Sequence, residues 1–429
     1  IGDRIGGFIR PGFNPLLVAD APTIGTASES GTGISTTFTA PTDVGGGAIT
    51  SYEATAKNTS SGALARATGT SSPITVSGLT PGQSYTVTVV AENAYGPSGA
   101  SAASNSITMF NGAQLWLWGR NGDGQLGQGN TTDYSSPVQV GALTTWKTVG
   151  GTSADATLAV KADGTAWSWG RAHLGQTGQG NTTDLSSPVQ IGALTTWIRL
   201  AGGYGGPNGG IKTAGTPWLW GKNSYGQLGQ GNTTNTSSPV QVGALTTWLK
   251  FAAGYYMGHA IKTDGTLWTT GGRNDNHGQL GTNNLTNYSS PVQIGALTDW
   301  SEVSNYYWGA GAIKTDGTIW MWGRNNFGQI GDGSTTTRSS PVQVGALTTW
   351  SKLAVGRDHT LALKTDGTLW AWGRNNYGQL GDGSTTDRSS PVQIGSLTTW
   401  LELSAGYQSS GARTTANTLF TWGVNAYGQ

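Results

Sequence analysis

The chain has 429 residues, with 23 basic and 22 acidic side chains, a formal net charge of +1 and no Cys. Without Cys there is no disulfide framework or thiolate metal site. The near-zero charge argues against general nucleic-acid affinity, which needs clustered cations. No apolar run approaches the roughly 18 residues of a membrane span, so membrane insertion is not expected. The 19 Trp, 14 Tyr and 7 Phe are enough to bury a large core despite 70 Gly.

Residues 1–20, "IGDRIGGFIRPGFNPLLVAD", begin with Ile rather than Met and contain no basic-then-apolar leader. Phe8, Ile9, Phe13, Leu16 and Leu17 make the segment too apolar for a free tail and too interrupted for a helix. Two readings stand: an arm that docks on a partner or neighbouring subunit, or a linker that packs on its own domain.

Residues 21–110 read as all-β. "ISTTFTAPTDVGGGAITSYEATAKN" gives two strands around a Pro/Gly turn, and Tyr85, Val87, Val89 and Ala91 alternate along a third. Pro22, Phe38, Pro41, Tyr52, Leu79, Pro81, Tyr85, Asn93 and Gly96 together resemble a fibronectin type III domain, with Phe38 where that family usually has Trp. The resemblance implies a β-sandwich and a corner role for Tyr85, its hydroxyl bonded back to the backbone near Leu79. The family's adhesive Arg-Gly-Asp tripeptide is absent, so that activity does not carry over.

All 19 Trp lie between Trp116 and Trp422, which sets a domain boundary near Asn111 and a second domain at 111–429. That domain is a repeat. Ser-Ser-Pro ends at Pro137, Pro188, Pro239, Pro291, Pro341 and Pro391, at intervals of 50–52 residues. A "WxWG" element occurs in five good copies, with degraded copies at Trp268/Thr270 and Phe420/Trp422. The unit 347–396 holds four strand candidates, 351–354, 360–364, 368–372 and 391–395. Asp366-Gly367 joins the second and third as a two-residue type I′ hairpin signal. Four strands per unit of this length point to a β-propeller. The pattern "WxWGxNxxGQLGxGxTTxxSSPVxV…W…GxxHxxAxKTDGT" resembles the regulator of chromosome condensation repeat, which implies seven blades. The first copy lacks two preceding strands and the last stops at Gln429 inside "GQLG". The pattern therefore predicts a truncated last blade, the alternative being a genuine terminus. Trp370 is taken as a core residue.

No constellation carries catalysis. The four His do not pair at metal-ligand spacing, no acid pair stands out, and no cofactor or metal is expected. His259 and His359 hold the family's repeat position, where the resemblance implies a structural role. Turn geometry accounts for "GQGNTT" and "GDGSTT" better than phosphate or Ca²⁺ binding does. One loop varies between otherwise copied units, at 150–156, 201–208, 252–259, 304–310, 354–359 and 404–411. It carries Tyr204, Tyr255, Tyr256, Tyr306, Tyr307, Trp308 and Tyr407. These rings either gather on one face as a ligand or partner site, or fill space between blades. A second variable spot, with Tyr225, Phe327, Tyr377 and Tyr427, reads as structural.

The arm, spacer and Trp-rich propeller suggest a non-enzymatic structural or recognition protein of a virion, such as a phage tail fibre, spike or appendage. The arm would contact other virion or surface proteins. The propeller would bind a host surface glycan or protein, with self-assembly possible. A bacterial secreted or cell-surface adhesin is the second reading. GTPase regulation is the third, since 50–52-residue repeats leave no room for a large inserted wedge.

Overall fold

Small apolar residues and Trp alternate through "LWAWG", so each third strand offers aromatic rings to one side and aliphatic groups to the other. Both sides are covered, and the result is an all-β chain. The computed structural model describes residues 17–30, 33–109, 112–142, 145–152, 156–203, 205–244, 247–273 and 277–427. The chain divides into two compact units between Ala113 and Gln114, the second comprising Gln114–Lys161 and Thr165–Gln429.

The first unit is a sandwich. One sheet joins β1 (Thr23–Ser30), β2 (Gly33–Thr39) and β5 (Ile74–Val76). The other is ordered β4 (Leu64–Gly69), β3 (Ile49–Asn58), β6 (Ser84–Asn93) and β7 (Gly96–Pro97), with β8 (Ile107–Thr108) also on β6. The strands flanking the Pro/Gly turn, β2 and β3, thus lie in different sheets rather than forming a hairpin. Tyr85, Val87, Val89 and Ala91 all point into the core, where Phe38 packs on Tyr52 at 4.7 Å. The Tyr85 hydroxyl accepts from Thr80 N–H at 3.1 Å, closing the expected corner. Leu17 belongs to this unit: its carbonyl accepts from Gly46 N–H (2.8 Å) and from the Asn93 amide (2.9 Å). Phe8, Ile9, Phe13 and Leu16 lie outside the described residues.

The second unit contains a two-stranded sheet, five four-stranded sheets and a three-stranded sheet, in that order. The five complete blades open at Trp146, Trp197, Trp248, Trp300 and Trp350, and their strands pair in sequence order. The second strand of each packs on the first strand of the next. In the unit read from sequence the strands are Trp350–Val355, His359–Lys364, Leu369–Gly373 and Arg388–Gln393. The fourth begins earlier than expected because Arg388 pairs with Gly373 before a register shift. That shift accommodates Pro391, which has no N–H to give a ladder.

The hairpin between the second and third strands also differs from expectation. Gly367 N–H donates to Lys364 C=O (3.0 Å), and Gly367 alone, not Asp366, has positive φ (77°). This is the three-residue turn with a left-handed closing residue, not a two-residue I′ turn. Asp366 Oδ1 is used as a cap instead, accepting from Thr368 N–H (2.9 Å) and Thr368 Oγ1 (2.6 Å).

Blades are latched by the second Trp of "WxWG". Trp169, Trp220, Trp322 and Trp372 are fully buried, and each indole N–H donates to the backbone carbonyl of Gln125, Gln176, Gln279 or Gln329 in the preceding repeat, at 2.8–3.0 Å. In the degraded copy, Thr270 Oγ1 makes the equivalent bond to Gln227 O at 2.9 Å. Gly331 must be Gly: its φ is +85° and a Cβ there would lie 2.7 Å from Trp372 Nε1. Trp370 is half-buried, so it is not the enclosed core residue that its motif position suggested. It instead lies under the Lys364 ammonium, 3.6 Å from the ring centroid, with Trp350 on the other side at 5.2 Å. Lys161, Lys212, Lys262 and Lys314 repeat that arrangement between their own Trp pairs.

Candidate functional site

In an antiparallel blade, the loop joining the first and second strands lies at the same end as the last residue of the third. Backbone bonds fix this. Arg324 N–H donates to Trp308 O (3.0 Å), Arg374 N–H to Asp358 O (2.8 Å) and Gly272 N–H to Tyr256 O (2.9 Å). The cation that follows "WG" is thereby hung beside the variable loop.

Two adjacent blades bring four of the predicted rings together. Tyr255 stacks on Tyr307 at 4.7 Å with planes 22° apart. Tyr256 meets Tyr307 and Trp308, both at 5.3 Å, and Tyr307 meets Trp308 at 4.8 Å. Tyr256 and Trp308 are buried and support the half-buried Tyr255 and Tyr307. Burial, then the hydrogen bond shared by the Tyr256 and Tyr307 hydroxyls, raises the Tyr256 phenol above its ordinary range, so it stays neutral.

Cations rest on these rings. Lys222 lies 4.0 Å from the Tyr255 centroid. Arg273 lies 4.8 Å from Tyr256 and donates to its hydroxyl at 2.7 Å. Arg324 sits between Trp308 and Phe327, 5.9 Å from each. Arg357 covers Tyr407 at 4.3 Å and donates to its hydroxyl, and Arg374 covers Phe327 at 4.6 Å. Buried Asp358 is shared by Arg357 (3.5 Å) and Arg374 (3.4 Å).

The other predicted rings separate. Tyr306 packs between blades against the cluster containing Ile313 and Ile319. Tyr407 is exposed, two blades beyond Tyr307 and Trp308. Tyr204 lies outside the described residues. The second variable spot borders the cluster: Tyr225 packs edge-on to Tyr256 (5.5 Å) and Phe327 carries two guanidinium groups. Sequence patterning did not single out the cations. The available signal was their fixed position in a chain poor in charge.

The two repeat-position His are buried on second strands. His259 Nδ1 lies 2.8 Å from Asn305 Nδ2, and His359 Nε2 lies 2.9 Å from Ser410 Oγ. Desolvation pushes them down to about 3 and about 4, so both are neutral near pH 7. The "GDGSTT" turn closes on itself. The Asn375 amide donates to Ser384 O (3.0 Å), and Leu380 N–H donates to Asn375 Oδ1 (2.9 Å).

Family models for the regulator of chromosome condensation (RCC1) repeat match residues 113–151, 215–261, 316–363 and 366–412, and a second RCC1 model matches 350–379. The fibronectin type III model matches residues 20–107. The chain is similar to the ultraviolet-B receptor UVR8 of Arabidopsis thaliana, 35% identical over 202 residues, covering 46% of this chain and 45% of that protein. It is also similar to the mitochondrial RCC1 domain-containing protein RUG3 of the same plant, 30% identical over 233 residues, covering 51% and 52%. The chain thus spans about half the length of these relatives. Among solved structures, yeast RCC1 (Prp20) bound to Kap60 aligns with a TM-score of 0.64 at 19% identity, covering 74% of this chain and 81% of that one. A structure of Prp20p from Saccharomyces cerevisiae, described with its binding to Gsp1p and histones, aligns at 0.62 and 16% identity, covering 85% and 92%. At such identities the likeness shows the fold.

The expectation of a virion structural protein, and of a virion location, is overturned. The matching relatives include a plant ultraviolet-B receptor and a mitochondrial protein, and the matching folds include yeast RCC1. The adhesin reading falls with it. The abundance of Gly, Ser and Thr has a local cause, as in the unit 347–396, where these residues build a turn that closes on itself. Composition and module order therefore reported the repeat, not the setting. The chain carries a fibronectin type III domain followed by RCC1 repeats folded as a β-propeller.

Proposed function

We propose that the propeller is a non-enzymatic protein-docking platform, and that its docking surface is the blade end around Tyr255, Tyr307 and Tyr407. The carrying observation is the set of cations held on aromatic faces beside these rings. Tyr, Trp and Arg are enriched where protein interfaces bury their centres, because they give large contact area with few rotamers to freeze. Likeness adds support, since yeast RCC1 (Prp20), a protein of similar fold, is found bound to Kap60.

The test is photocrosslinking in the cells that make the protein. A photoreactive amino acid replaces Tyr407 or Tyr255, with Lys57 in the sandwich as an off-face control. The expected result is a discrete protein adduct from the face positions only. Equal adducts from Lys57, or none from the face, would overturn the docking surface. Acceleration of nucleotide release from a small GTPase would overturn the non-enzymatic part.

A further inference from the structure

The residue after the third strand is a cation in five of seven repeat copies, Arg120, Arg171, Lys222, Arg324 and Arg374; Gly272 holds the position in a sixth, with Arg273 one residue later, and Val424 in the last. Five of the 23 Lys and Arg therefore share one position in a chain of net charge +1. The framework does not require that charge. Val424 N–H donates to Gln408 O at 3.0 Å, the same backbone bond that Arg324 and Arg374 make in their blades.

Around the aromatic cluster the charge is uneven. Lys222, Arg273, Arg324, Arg357 and Arg374 all lie against its rings or against Phe327 and Tyr407. Among the described residues, buried Asp358 lies between two of them, and the Arg357 and Arg374 guanidinium groups share it. Asp387, at the same end of that blade, caps Asn375 N–H at 2.7 Å. The guanidinium groups of Arg324 and Arg374 lie against ring faces, and a guanidinium can receive a carboxylate with two parallel bonds.

We infer that this end of the propeller takes an acidic protein segment, a run of Asp and Glu side chains that reaches several blades at once. This rests on the docking reading above. Single-stranded nucleic acid is disfavoured by the rings themselves. Bases bind such surfaces by stacking on open aromatic faces. Here Tyr255 and Tyr307 already stack on each other, and Tyr256 and Trp308 are buried.

The experiment is fluorescence anisotropy on the full chain with a labelled deca-glutamate peptide, a deca-lysine peptide and a 20-nucleotide single-stranded DNA. Deca-glutamate is expected to bind, and to weaken at least tenfold between 50 and 300 mM salt. Arg324→Val with Arg374→Val, copying the residue tolerated at 424, is expected to weaken it at least tenfold, with Lys57→Ala unchanged. If the double variant fails to fold, Lys222→Val is measured in its place, with an expected loss of at least threefold. No binding of deca-glutamate, or binding that the variants leave unchanged, overturns the inference. Tighter binding of DNA than of deca-glutamate overturns it in favour of nucleic acid. Crosslinked protein adducts without deca-glutamate binding end the acidic-partner inference and keep the docking surface. Absence of both ends both.

Discussion

Trp370 and Trp372 share one face of a strand and one motif, yet their surroundings assign them different work. Trp372 is wholly enclosed and donates to Gln329 O of the preceding repeat, so its removal leaves a cavity and an orphaned carbonyl between blades. Trp372→Ala should destabilise the propeller by about 3–5 kcal/mol. Trp370 is half-buried beneath Lys364, and Trp370→Ala should cost roughly 1–2 kcal/mol, on the order of a partly desolvated cation–π contact. Urea unfolding followed by Trp fluorescence measures both, and equal losses would remove the distinction. The motif identified both residues as Trp of a repeat. It could not rank them, because burial depends on the neighbouring blade. Where Thr270 replaces the latch Trp, the contact persists through a hydroxyl, and an apolar cavity of about 30 Å³ lined by Leu219, Val242, Phe251 and Trp268 remains beside it.

Within the sandwich, the segment after β7 shows how an element forms without a regular ladder. Ser98, Ser101 and Ser104 recur every third residue. Their hydroxyls accept from Ala91, Val89 and Val87 N–H at 2.9–3.0 Å, while their own N–H groups donate to the same three residues' carbonyls at 2.8–2.9 Å. A period of three is neither the two of a strand nor the 3.6 of a helix. It escapes alternation patterns for that reason, although "SGASAAS" states it openly. Ser101→Ala strips the buried Val89 N–H of its side-chain acceptor and should cost about 1–3 kcal/mol. Because no Trp precedes Trp116, Trp fluorescence reports on the propeller alone. The loss should appear in the far-ultraviolet dichroism transition of the sandwich and leave the Trp transition in place. A shift in both would show that the two units unfold together.

At the scale of the molecule, two buried neutral His set an acid limit. Burial lowers His259 to about 3 and His359 to about 4, below the ordinary value of 6.5. The unfolded chain then binds more protons than the folded one. Stability is full above about pH 6.5 and falls as pH drops through the window toward 4, by up to about 1.4 kcal/mol per pH unit for each His. Asp332 and Asp382 are held below the ordinary carboxylate value by hydrogen bonds to Ser and Arg that outweigh desolvation. Their contribution is lost only at lower pH, as they protonate. Urea midpoints at pH 7.5, 6.0 and 5.0 should therefore fall steadily, and His259→Gln with His359→Gln should flatten the profile. A slope unchanged in the double variant would place the titrating groups elsewhere.

Spacing, turn dipeptides and alternation were sufficient to read an all-β chain, a Trp-free sandwich and a repeated four-strand blade, because these depend on neighbours within one unit. Tyr85 closed its corner as expected for the same local reason. The contacts between units were not readable in that way. Whether Tyr306 faces a core and Tyr307 stacks on Tyr255, or whether Arg324 lies on Trp308 and Phe327, is decided by blades that meet through residues tens of positions apart. Identical repeat positions acquire different surroundings only when the sheets stand side by side. The candidate site is made of those surroundings, so only the tertiary structure could assemble it.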